Sequence, residues 1–143
     1  MAALLSDRNT RLRQGDTRVE GLAAAIKVFA GSIVMRNAAG DITKGATATV
    51  CAGVGRAEAT VDNSAGIAGA LTVEYRQGIF LFANSTAGDL ITKADIGKLC
   101  YIVDDQTVAK TDGTATRSRA GLVDGIEANG VWVRMDKALT RAA

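Results

Sequence analysis

The chain has 143 residues, 48% hydrophobic and 22% charged, and its 17 Lys and Arg against 15 Asp and Glu leave a net charge of +2. That length fits one domain with its own core, the apolar fraction argues against disorder, and the charge balance argues against a protein whose main task is to grip nucleic acid or an anionic membrane. The sequence contains no His, which removes the commonest general base and metal ligand, and it combines 16 Gly with no Pro.

Residues 1–18 read as an arm outside the core. Arg8, Arg11, Arg13 and Arg18 alternate with small polar groups, and Leu4, Leu5 and Leu12 are the only sizeable apolar residues there. Termini of this composition are either disordered tails or segments that order on a partner. Residues 19–26 carry conflicting signals. Thr17-Arg18-Val19-Glu20 has the form of a helix capping box, with Val19, Leu22, Ala23 and Ile26 at helical spacing, yet Gly21 interrupts it and Lys27-Val28-Phe29 follows as a strand-like run. We read the stretch as extended.

From there the chain reads as short strands cut by Gly, Asn and Asp turns. Ser32–Arg36 is one strand, Val54–Val61 another, and residues 62–69 form a loop of turn formers. Leu71-Thr72-Val73-Glu74-Tyr75-Arg76 alternates, which places Leu71, Val73 and Tyr75 on one face. Gln77-Gly78 has the form of a two-residue hairpin loop leading into Ile79-Phe80-Leu81-Phe82-Ala83, a strand apolar on both faces. Such a strand is covered on both sides by its own domain or by another subunit. Thr92–Lys98 fits one helical turn, Leu99–Val103 and Thr107–Ala109 are strands about an Asp104-Asp105-Gln106 turn, and Lys110–Arg119 is a polar loop. Ala120–Glu127 leads through Asn129-Gly130 into Val131–Met135, where Asn-Gly is a strong hairpin signal and Trp132 and Arg134 share the outward face. Residues 138–143 read as a tail. The expected fold is mainly β: one small barrel or sandwich over residues 19–137, with an extended N-terminal arm.

Motifs for chemistry are absent. Cys51 and Cys100 belong to no CxxC pair and read as small buried hydrophobes. No Ser has a Lys three residues later, Asp104-Asp105 suits a turn rather than acid–base work, and Gly53-Val54-Gly55 lacks the third glycine of a dinucleotide loop. No catalytic residue, cofactor or metal is expected. The opening residues lack the pattern of a secretory signal and no apolar run approaches a membrane span, so a soluble protein made in a reducing cytoplasm is expected.

A series of short motifs occurs in order: Phe29-Ala30-Gly31-Ser32-Ile33-Val34, Val54-Gly55-Arg56-Ala57, Val61–Gly66, Gln77–Asn84, Ala94–Tyr101, Asp104–Ala109 and Gly130-Val131-Trp132-Val133. Over roughly residues 26–135 the chain resembles the capsid decoration (cement) proteins of tailed bacteriophages and Mu-like prophages. One departure is the missing Pro ahead of the first strand. The resemblance implies a non-enzymatic virion protein on the outside of an icosahedral head, a structural partner of the major capsid protein, usually as a homotrimer. It carries no catalytic residues. On that reading Arg8, Arg11, Arg13 and Arg18 are the candidates for capsid contact, and Phe80, Phe82 and Trp132 for the subunit interface. Another β-rich virion part, such as a tail-tube or fibre component, is the alternative, ahead of a nucleic-acid or carbohydrate-binding module.

Overall fold

In a computed structural model, which describes residues 2–143, the chain is mainly β and contains a closed five-stranded barrel with additional strands. The first half supplies β1 (Thr17–Gly21), β2 (Ile26–Val28), β3 (Ile33–Arg36), β4 (Ile42–Lys44), β5 (Ala52–Ala57), β6 (Val61–Asn63) and β7 (Thr72–Arg76). The second half supplies β8 (Gly78–Asn84), β9 (Leu99–Ile102), β10 (Thr107–Ala109), β11 (Arg119–Glu127), β12 (Gly130–Met135) and the helix α1 (Lys137–Ala142).

The barrel is the ring β11–β12–β8–β10–β9, closed where β9 pairs back onto β11. Its pairings are antiparallel except β8 with β10. Closure removes the sheet edges that these strands would otherwise expose. Alternation decides what fills it: Val131, Val133 and Met135 of β12 point inward with Phe80 and Phe82 of β8, and join Cys100, Ile102, Val108, Ala120 and Val123. Beyond β5 the same sheet continues through β7 to β1 and through β3 to β4, and this outer part packs Leu22, Val34, Ile42, Val54, Val73 and Tyr75 into a separate core, to which the small β2–β6 sheet adds Val28.

The two bodies join where β5 meets β11 in parallel at Arg119 and Ala52. The approach is close enough to require glycine, since a Cβ on Gly53 would lie 2.5 Å from the Ala120 carbonyl oxygen. Helix α1 packs on β5 and β11. It is capped by Asp136, whose carboxylate accepts from the amides of Ala138 and Leu139 at 2.9 and 3.0 Å.

Several expectations need correction. Gln77-Gly78 is no hairpin loop: β7 pairs with β1 and β5 while β8 pairs with β12 and β10, so Gln77 is a one-residue passage from the outer part of the sheet into the barrel. The expected strand over Val54–Val61 is two strands, β5 and β6, and residues 138–143 include most of α1 rather than a loose tail. Leu71 lies just before β7 and is largely exposed. The β11–β12 hairpin forms, but its loop is Ala128-Asn129 and Gly130 is already paired with Glu127. Residues 19–21 and 26–28 are extended.

Candidate interaction surfaces

The arm is shorter than read from sequence. Residues 2–16 lie exposed outside the sheets, whereas Thr17 and Arg18 pair with Arg76 and Tyr75 in β1. Arg8, Arg11 and Arg13 therefore stand on the arm, and Arg18 stands at its root. There the Arg18 guanidinium donates to the carbonyls of Gly15 and Thr17 at 2.6 and 2.9 Å. It holds a bend at Gly15, whose φ of 86° lies in the left-handed region that glycine reaches without strain. Leu4, Leu5 and Leu12 are 70%, 100% and 80% exposed.

The root is held by a polar cluster that the sequence did not disclose. Glu20 on β1 accepts from Arg36 Nη2 at 2.7 Å and from the Tyr75 hydroxyl, and Lys137 Nζ stands 4.0 Å away. The Arg36 hydrogen bond, with the Tyr75 hydroxyl adding to it, overcomes partial burial and holds the Glu20 carboxyl at a pKa of about 2. Burial, with Glu20 as its acceptor, pushes the Tyr75 phenol up to about 12. The cluster ties β1 to β3, β7 and the start of α1. Glu20 lies 16 residues from Arg36 and 55 from Tyr75, so no local spacing signals it.

The three interface candidates separate. Phe82 is 5% exposed within the barrel core, which removes it as a surface group. Phe80 packs half-buried against the same core, edge-on to Phe82 with ring centroids 6.4 Å apart, and the Arg56 guanidinium caps its ring at 4.4 Å. Trp132 does face outward. It lies opposite Leu81 on the barrel's outer surface, and its indole N–H donates to Glu127 Oε1 at 3.0 Å. Ile79 is 46% exposed beside it, so the outer stripe is Ile79, Leu81 and Trp132.

Ile79, Leu81 and Trp132 line a cleft of about 410 Å³ together with Gly31, Arg56, Phe80 and Phe82. Ile79 is shared with a smaller cleft at the arm root, lined by Asp16, Gln77 and Arg134. Gly31 is shared with a cleft of about 360 Å³ lined by Phe29, Ser32 and Asp105. The three clefts are separate and of mixed charge: Arg56 lines the first, Asp16, Arg134 and Asp136 the second, and Asp105 the third.

Elsewhere, Asp95 is buried beneath the turn that precedes β9. It accepts from the Thr92 amide at 2.8 Å and hydroxyl at 3.1 Å, with Lys98 and Lys110 each 3.7 Å away, and these bonds, the amide's foremost, hold its carboxyl below the usual range. Both cysteines are free. Cys100 is buried, and desolvation pushes its thiol up to about 12, while Cys51 is half-buried and shifted in the same direction by the same cause. Among the described residues no group of three His, Cys, Asp or Glu side chains is placed to hold a metal ion, and no helix is long and apolar enough to cross a membrane.

Compared with known proteins, the chain matches no family model, no curated protein and no solved structure.

Proposed function

We propose that the chain is a capsid decoration protein, a non-enzymatic part of the virion that binds the outer surface of an icosahedral head and stabilises its lattice of major capsid protein. The observation that carries the reading is the pairing of a small closed barrel with an exposed, arginine-bearing arm whose root is fastened into the sheet. A rigid body with a free arm suits a clamp: the body sits on one subunit and the arm reaches a second. Arg8, Arg11 and Arg13 are the contact groups for capsid carboxylates, since a guanidinium makes bidentate pairs with a carboxylate. Arg18 contributes by setting the bend from which the arm departs.

The stabilisation follows from mass action. A protein that binds only the assembled shell favours it by RT ln(1 + [L]/Kd), about 2.7 kcal/mol per site at a hundredfold excess over Kd. Many sites per shell make the total large. On the shell the copies are expected as trimers.

The test is to mix purified protein with undecorated heads of its parent virus, sediment them, and image the pellet. Regular added density on the head exterior, with raised resistance of the heads to heat, is the expected result. Protein that stays in the supernatant, or that assembles into tubes or fibres by itself, overturns the reading.

A further inference from the structure

We infer that Asn129 is a self-modification site, at which the chain converts its own side-chain amide to a carboxylate and so remodels the tip of the β11–β12 hairpin beside Trp132. The inference stands apart from the decoration reading, since water is the only co-reactant it needs.

The chain holds five asparagines, at 9, 37, 63, 84 and 129, and the structure separates them. Three are tied down by hydrogen bonds. Asn37 Oδ1 accepts from the Asp41 amide at 2.9 Å. Asn63 Nδ2 donates to the carbonyls of Ala23 and Ile67 at 2.9 and 3.0 Å. Asn84 donates to the Ile91 carbonyl at 2.9 Å and accepts from the Ile91 amide at 3.0 Å. Asn9 and Asn129 are exposed. Thr10 follows Asn9 with a branched Cβ that crowds its amide nitrogen, whereas Gly130 follows Asn129 with no side chain at all. Packing keeps that glycine in place, because a Cβ on residue 130 would lie 2.5 Å from the Phe82 carbonyl oxygen.

The chemistry is an intramolecular displacement. The Gly130 amide nitrogen, having given its proton to solvent, attacks the side-chain carbonyl carbon of Asn129 and forms a C–N bond in a five-membered imide. The bond from that carbon to the side-chain nitrogen breaks, and the nitrogen takes up a proton and leaves as ammonia. Water then opens the ring at either of its carbonyls and leaves aspartate or isoaspartate at 129. No electrons are gained or lost. Gly130 pairs with Glu127, so its nitrogen reacts from the frayed tip, and the two-residue loop Ala128-Asn129 at the end of the hairpin opens locally without unfolding the barrel.

The product alters the outer face. Aspartate adds a negative charge two residues from Glu127, whose Oε1 accepts from the Trp132 indole at 3.0 Å, and the two carboxylates repel. Isoaspartate routes the backbone through the former side chain and lengthens a loop that the Glu127–Gly130 pair closes. Either product loosens the support of Trp132.

Peptide mapping tests this. Folded protein is held at pH 8, sampled over weeks and cut with trypsin, which places Asn129 in the peptide of residues 120–134. That peptide should gain the mass difference between a hydroxyl and an amino group roughly tenfold or more faster than the peptide carrying Asn9, while Asn37, Asn63 and Asn84 stay intact. Trp132 is the chain's one tryptophan, so its emission should shift with the converted fraction in wild type and hold steady in Asn129→Gln. The inference is overturned if Asn129 lasts as long as Asn9, if the folded chain keeps it intact while the urea-unfolded chain loses it, or if the mass rises with no change in Trp132 emission.

Discussion

Glu20 is the group on which the arm's attachment turns, and its protonation gives a quantitative test. Its carboxyl is held at a pKa of about 2 against an ordinary 4.5. At 1.36 kcal/mol per pH unit that difference corresponds to an upper bound of about 3 kcal/mol. The side chain keeps 26% of its surface in water, as does its ion pair with Arg36 at 23%, and screening reduces the expected contribution to about 1–2 kcal/mol. The folded value is depressed, so this stability is fully present above pH 4.5 and is lost as pH falls toward 2. Glu20→Gln keeps an acceptor for Tyr75 and Arg36 but removes the charge.

Urea denaturation at pH 7, 5, 4 and 3 separates the charge from the rest of the side chain. At pH 7 the variant should be less stable than wild type by about 1–2 kcal/mol, and at pH 3 by less than half of that. Amide exchange in β1 should quicken at pH 7 in the variant, because the cluster fastens that strand to β3 and α1. A difference that stays constant from pH 7 to pH 3 would refute the reasoning, since it would mean that ionised Glu20 gains nothing from its partners.

Further outcomes follow from the same packing. Phe82→Ala should lose about 3–5 kcal/mol in denaturant titrations, whereas Trp132→Ala, on the outer face, should cost far less. Gly53→Ala forces a Cβ onto the Ala120 carbonyl, where neither backbone can yield cheaply, and should cost about 1–3 kcal/mol or more and lower the thermal midpoint. Cys100 should resist a thiol reagent at pH 8 in the folded chain and react at once in urea, because burial keeps it both covered and protonated. Removing residues 2–16 should leave the thermal midpoint nearly unchanged, the segment being exposed along its length.

The sequence disclosed what depends on a few neighbouring residues and concealed what depends on partner choice. Val73 and Tyr75, and Val131, Val133 and Met135, read correctly as inward faces because a strand's period of two is written locally. The turn at Lys93–Asp95 was likewise legible in Thr92–Lys98. At Gln77-Gly78 the local hairpin signal was outweighed. Arg76 is paired with Thr17 and Arg56, and Ile79 with Arg134, so strands adjacent in sequence went to different bodies. Nothing within ten residues of Gln77 encodes that division. The three interface candidates separate into inner and outer faces for the same reason. Alternation put Phe80 and Phe82 on one face of β8, but only pairing with Val133 and Val131 fixed that face as the inside, leaving Ile79, Leu81 and Trp132 as the outer stripe. The Glu20 cluster lies one step further out, since Arg36 and Tyr75 come to it from strands far apart in sequence. Where a cluster is made by tertiary closure, its residues have no common spacing, and only the types of side chain available to it can be read in advance.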